Sequence, residues 1–214
     1  MSATPLEGHS VVDELAGRIR SRILSGELPA GTALREEALS ITYDVSRHTL
    51  RAALRALAVE GVVQIVPNRG ATVARLTEGD LVPLFELRAA LELEACRLTL
   101  ERNDGKLPVD VHRRLEALVR VCRGKASGWR EIAEAHARFH ESLVAGAGSP
   151  RIEEAYGRLA SELNVFLLQL RPVWSRSRMI EHHRSLVTAL ESTGDLDSLR
   201  RHLADGLQAV RNVG

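Results

Sequence analysis

The chain has 214 residues, with 29 Lys and Arg against 28 Asp and Glu, and so a formal charge of +1. Hydrophobic residues make up 44% and charged residues 27%, which fits a soluble globular protein of one large or two small domains. That balance excludes a polycationic nucleic-acid coat, the 3% of aromatic residues excludes a base-stacking platform, and apolar runs of at most four residues exclude a bilayer-spanning helix.

The first ten residues carry neither the basic stretch nor the apolar core of a secretory signal. Cys96 and Cys122 have no CxxC spacing and read as packing thiols of a reduced chain, so a cytoplasmic location is expected. Residues 11–25 place Val12, Leu15, Ile19, Ile23 and Leu24 on one helical stripe, which Gly26 stops before a turn at Pro29-Ala30-Gly31. Residues 34–42 form a short amphipathic segment with Glu36 and Glu37 in its first turn. Ser46 is a good N-cap for a third helix carrying Leu50, Leu54, Leu57 and Ala58, which Gly61 ends. Two β-branched runs, 62–66 and 71–75, flank Pro67-Asn68-Arg69-Gly70 and predict a β-hairpin. Three short helices followed by a hairpin is the order of a winged helix-turn-helix.

From Thr77 onward every strong signal is helical. Thr77 with Asp80 resembles a capping box, and helices are expected near 78–102, 109–123, 129–146, 150–171, 175–192 and 196–212. The fold class is therefore mainly α, a winged helix-turn-helix over residues 1–76 and an all-α six-helix bundle over 77–214.

Helix-turn-helix proteins lay the N-terminus of the second helix of the motif in the DNA major groove. Here that end reads Ser46-Arg47-His48-Thr49-Leu50-Arg51. Ser46 and Thr49 offer hydroxyls, and Arg47 and Arg51, four apart, share a face. A guanidinium fork matches guanine O6 and N7 together. The hairpin tip adds Asn68, Arg69 and Gly70. Residues 45–75 hold five arginines (47, 51, 55, 69 and 75) against the single acid Glu60, a local basic patch hidden by the near-zero total. The plain alternative is a solvated basic helix face.

These blocks resemble the GntR family of bacterial transcription regulators. The resemblance rests on Leu-Ser-Gly-Glu-Leu-Pro-Ala-Gly-Thr (24–32), Leu-Arg-Glu-Glu (34–37), the run from Val45 to Val63 and Pro-Asn-Arg-Gly-Ala-Thr-Val (67–73). The helical remainder is similar to the FCD ligand-sensing domain of the FadR subfamily, with Leu-Phe-Glu-Leu-Arg-Ala-Ala-Leu-Glu (84–92) as its opening helix. Its six-helix count is similar to the VanR-like branch. The resemblance puts Arg35, Arg47, Thr49, Arg51, Arg69 and Gly70 on DNA-contacting positions. His48-Thr49 stands where the family commonly has Thr-Pro, and Asp44 where Gly is usual, so the operator sequence is expected to differ while the binding mode is kept.

In the bundle, His136 and His140 are four apart on a helix, a spacing that lets two imidazoles join donors from other helices around a divalent transition metal. The same spacing also arises in core histidines with no metal. The family resemblance implies a metal held by an Asp and three histidines. His140 and His183 match that pattern, His136 replaces the Asp, and the last position falls on Gly206, with His202 one turn earlier. Zn or Ni suits such a nitrogen-rich set. The resemblance also implies a small carboxylate effector beside the metal, for which Arg88 is a partner unless it pairs with Glu92 on its own helix.

The expected function is a ligand-responsive regulator that binds a palindromic double-stranded DNA operator as a homodimer. The alternatives are a metal-dependent enzyme on a helical bundle and an architectural DNA-binding protein without effector. The chain has no HExxH, GxSxG, Walker A or GxGxxG pattern, and an enzyme would leave the basic helix-turn-helix unexplained.

Overall fold

The structure, a computed structural model, describes residues 11–66, 70–75, 78–170 and 174–211. The chain divides into two compact units, residues 1–75 and 76–214.

The N-terminal unit begins with α1 (Val11–Leu24), whose Leu15, Ile19 and Ile23 are buried at helical spacing. Its partner is α3 (Arg47–Val59), which buries Leu50, Ala53, Leu54 and Leu57. Arg20 of α1 forks onto the Glu60 carboxylate at the end of α3 with distances of 2.7 and 2.5 Å. Between them lies α2 (Glu36–Tyr43), which buries no residue completely and ends at Asp44 in the left-handed region, φ 52°. Ser46 caps α3 as expected, its Oγ accepting the Thr49 N–H at 3.0 Å.

Two details differ from the sequence expectation. The segment predicted as helix from residue 34 starts two residues later, because Ala33–Leu34 is a strand, β1. The wing is correspondingly a three-stranded antiparallel sheet of order β1-β3-β2, with β2 Val63–Val66 and β3 Gly70–Val73, rather than a hairpin alone. β1 pairs Ala33 with Thr72 and Leu34 with Ala71, and two flanking bonds at 2.9 Å, Gly31 N–H to Val73 O and Val73 N–H to Thr32 O, extend the pairing. This satisfies an edge of β3 that would otherwise be bare.

The C-terminal unit contains, among the described residues, six helices: α4 (Glu78–Arg102), α5 (Val109–Arg123), α6 (Trp129–Ala145), α7 (Pro150–Leu170), α8 (Arg176–Thr193) and α9 (Leu196–Arg211). Each lies within two residues of its expected bounds; residues 171 and 212, and the Thr77 capping position, fall outside the described residues. α4 is the central element, packing on α6, α7 and α9. Its buried stripe runs Leu81, Leu84, Phe85, Arg88, Glu92, Ala95, Cys96 and Thr99. Two charged residues in that stripe are the exception that positions the site. Cys96 and Cys122 are free buried thiols, and burial pushes both up. Among the described residues no helix is long and apolar enough to cross a membrane.

Candidate functional site

Glu92 is the hub of a polar cluster inside the C-terminal bundle. Fully buried, it accepts three hydrogen bonds: Arg88 Nε at 2.6 Å and the Tyr156 hydroxyl at 2.7 Å on Oε1, and His140 Nδ1 at 2.9 Å on Oε2. Burial alone would push its carboxyl up, but the adjacent Arg88 guanidinium wins and holds it well below the usual carboxylate range. Burial likewise opposes the Arg88 charge, and Glu92 restores it and raises the guanidinium. His140 is pushed down by burial in spite of Glu92, so its neutral ring donates Nδ1–H to the carboxylate and keeps a lone pair on Nε2.

His183 on α8 is held in the same tautomer by a different acceptor. Its Nδ1 donates to the Met179 carbonyl at 2.7 Å, and its Nε2 is buried with no partner, as is that of His140. The His136 ring lies 4.5 Å from that of His140 and 4.8 Å from that of His183. One donor nitrogen from each of the three falls within 4.8 Å of the others. Burial pushes His136 and His183 well below the ordinary imidazole value. Neutral imidazoles, two of them with an unpartnered Nε2 and an acceptor that orients Nδ1, have the chemistry of metal ligands. Arg88, His136, His140 and Tyr156 border a cavity of about 10 Å³, room for roughly one water or ion.

His202 on α9 lies beside this group but not in it. Its ring is 4.7 Å from His183 and 5.4 Å from His140, yet it stacks at 4.2 Å and 21° on His182. Its burial also pushes it well down. A Cβ at Gly206, one turn further on, would rest in ordinary van der Waals contact with the Phe85 ring at 3.6 Å.

In the N-terminal unit Arg35, Ser46, Arg47, His48, Arg51 and Gly70 are exposed and Thr49 is half-buried. Asn68 and Arg69 lie outside the described residues. The two arginines of the α3 N-terminus face acids of α2: Arg51 Nε is 2.8 Å from Glu36, and an Arg47 Nη is 3.6 Å from Glu37.

Comparison with known proteins places both units. Residues 11–73 match the family described as bacterial regulatory proteins, gntR family, and residues 83–209 match the FCD domain. The chain belongs to the GntR family. It is 31% identical over 205 residues, 94% of this chain and 89% of its relative, to the "Probable D-xylose utilization operon transcriptional repressor" of Paenarthrobacter nicotinovorans. It is 26% identical to the gluconate operon transcriptional repressor of Bacillus licheniformis, over 92% of this chain and 82% of that one. A solved structure of a GntR transcriptional regulator from Rhodococcus sp. RHA1 superposes with a TM-score of 0.77 at 22% identity, covering 96% of this chain and all of that one. That likeness supports the fold. This GntR protein is thus an FCD-containing transcription regulator with a winged helix-turn-helix for DNA, and its family is one of regulators rather than enzymes.

Of the site residues read from its sequence, the structure brings together His136, His140, His183 and Arg88, and sets His202 at their edge. The two fates considered for Arg88 are not exclusive: its Nε is bonded to Glu92, and the side chain still borders the cavity. Sequence reasoning missed Glu92 as the orienting group for His140, counted His182 among the bundle histidines without giving it a role, and missed Tyr156 altogether. The signal for Glu92 was present, an Arg-x-x-x-Glu pair inside an apolar stripe. For Tyr156 there was none.

Proposed function

We propose that this protein is an effector-responsive repressor that binds a palindromic operator as a homodimer, with affinity set by a small organic acid held in the C-terminal bundle beside a divalent transition metal. The observation that carries the reading is the buried cluster itself. Unpartnered imidazole nitrogens cost stability in an apolar core; His140 keeps its own at a cavity that Arg88 borders, and His183 keeps another on a ring 5.5 Å from that of His140.

His136, His140 and His183 would hold the metal, and the all-nitrogen set favours Zn or Ni over Mg or Ca. When bound, the metal supplies a Lewis-acidic position for a carboxylate or hydroxyl oxygen. Arg88, its Nε committed to Glu92, retains two terminal amino groups that match a carboxylate bidentately. Glu92 keeps Arg88 charged and His140 in its ligating tautomer. Tyr156 donates to the same carboxylate and closes the cavity wall.

At the DNA, Arg35, Arg47, His48, Thr49 and Arg51, with Asn68, Arg69 and Gly70 of the wing, form the contact set. Ser46 fixes the start of α3 through its cap. One such head reads few base pairs, which is why a two-fold pair of half-sites follows. Relatives named as repressors of D-xylose and gluconate operons support repression as the sign, and the gluconate relative supports sugar acids as the first effectors to try. Effector binding shifts the population between states of different DNA affinity.

The test is operator binding by fluorescence anisotropy with a panel of carboxylates, together with elemental analysis of untagged protein. The expected result is one divalent metal per chain, lost in His140→Ala, and a carboxylate that weakens DNA binding in wild type but not in Arg88→Met. Metal content that is sub-stoichiometric and unchanged by His140→Ala would remove the metal from the reading.

A further inference from the structure

The three-histidine group is not the end of the imidazole cluster. Between α8 and α9 an open groove of about 290 Å³ is lined by His182, Ser185, Ser198, Arg201, His202 and Asp205 among others, the Arg201 guanidinium being paired with Asp195 at 2.7 Å. Asp205 stands exposed at its rim and takes His182 Nε2 at 3.1 Å. The Nδ1 atoms of His182 and His202 are both buried and bond nothing. His202, 7% exposed, lines this groove and also sits 4.7 Å from the His183 ring of the inner group.

The rings therefore make an unbroken file from surface to core. Asp205 touches His182, His182 stacks on His202 at 4.2 Å, and His202 meets His183 edge-on at 4.7 Å. Neither Nδ1 has a structural partner, and an imidazole nitrogen buried without one lowers stability. In a neutral His182 the Asp205 contact fixes the proton on Nε2 and leaves the lone pair on Nδ1. The inner cavity, by contrast, has room for only about one water or ion, so a hydrated cation cannot cross it intact.

We infer that His182, His202 and Asp205 form a transient acquisition site for a divalent transition cation, the route by which the inner three-histidine centre is loaded. The inference rests on the metal reading above and adds a path to it. Asp205 draws the hydrated ion into the groove. The ion exchanges water for His182 and His202 nitrogens, then exchanges those for His183, His140 and His136, keeping an imidazole bound at each step. No proton has to leave His140 or His183 at the end of the transfer, since each already presents a lone pair on Nε2.

A route residue and a ligand leave different signatures. Removing a ligand weakens binding, whereas obstructing a route slows entry and exit equally and leaves the equilibrium alone. Metal-stripped protein is mixed with Ni(II) and followed by tryptophan fluorescence, since Trp174 packs edge-on at 5.0 Å from His182, and release is followed after adding excess chelator. The variant His182→Gln/Asp205→Asn is expected to slow loading and release by the same factor, about tenfold or more, with Kd within twofold of wild type. Circular dichroism checks its fold. The control Glu141→Gln alters the other entrance, past Arg88, and is expected to leave both rates unchanged.

Unchanged rates in the His182/Asp205 variant overturn the inference, as does slowing by Glu141→Gln instead. A Kd raised tenfold through faster release would make His182 and Asp205 ligands and also overturn it. If wild type holds no stoichiometric Ni(II), the metal centre and the route fall together. Stoichiometric binding with unaltered kinetics removes the route alone.

Discussion

Glu92→Gln is the sharpest perturbation of the bundle, since it keeps the side chain's shape and removes only a charge. Three donors converge on this carboxylate: Arg88 Nε, the Tyr156 hydroxyl and His140 Nδ1. A carboxylate accepts on both oxygens, whereas glutamine offers one oxygen and one NH2, so His140 must move its proton to Nε2 and accept that NH2 on Nδ1. The Arg88 side chain is 5% exposed and would lose its counter-charge. Breaking a buried pair by removing one partner costs about 3–5 kcal/mol. For a unit of this size that corresponds to a fall in Tm of roughly 10 °C. Urea unfolding followed by tryptophan emission isolates the effect, because both tryptophans, Trp129 and Trp174, lie in the C-terminal unit. Replacing the pair together, Arg88→Met with Glu92→Leu, should recover most of the loss, because no buried charge then remains. Freed of its orienting carboxylate, His140 should also bind metal about 10–100-fold more weakly in Glu92→Gln. A loss under about 1 kcal/mol would mean that water reaches the pair and would refute the desolvated-network argument.

Arg47→Ala should cost about 1–3 kcal/mol in operator binding and relax specificity at one base pair. An equal loss on operator and random DNA would reassign Arg47 to a phosphate. Asp44→Gly should stabilise the N-terminal unit by about 0.5–1 kcal/mol, read as a rise of a few degrees by calorimetry, because Asp44 holds φ 52° where a glycine meets no steric penalty. In chelator, unfolding free energy should be flat above pH ~6.5 and fall below it. His136, His140, His183 and His202 have folded values under the unfolded one, so the unfolded chain takes up the protons first. Urea titrations across pH should show that His202→Gln flattens the slope by up to about 1.4 kcal/mol per pH unit; an unchanged slope would place His202 in contact with water.

The parts of this molecule that are written locally were legible. The Ser46 cap is a contact of three residues, and each helix of the bundle carries its own apolar period and its own break. β1 was hidden because two residues show no alternation; it is a strand only through β3, nearly forty positions away. The same distinction runs through the site. His136 and His140 share a helix and announced themselves by spacing, and Arg88 and Glu92 are likewise four apart. Their burial depends on His140 and Tyr156 arriving from 48 and 64 residues away, which no local pattern carries. His183 was reached through the family resemblance. His202 shares the expected face of α9, but stacking on His182 turns it toward a second cluster.

The basic patch needs the structure for its sign to be judged. The sequence count sets five arginines in residues 45–75 against Glu60, yet Glu60 is forked by Arg20, outside that window. The acids that matter are Glu36 and Glu37 on α2, also outside it, which sit against Arg51 and Arg47. Two of the five arginines are therefore already compensated in the DNA-free protein. Such exposed pairs are worth only about 0–1 kcal/mol each, so DNA exchanges them at little cost. Their larger effect is on what approaches. With two charges screened at short range, random phosphate backbones are attracted less strongly, while an operator that offers base acceptors to the freed guanidiniums recovers the difference. If Arg47 and Arg51 read bases as proposed above, Glu36→Gln with Glu37→Gln is expected to raise affinity for random DNA more than for the operator, and an equal rise on both would refute a role for the α2 acids in discrimination.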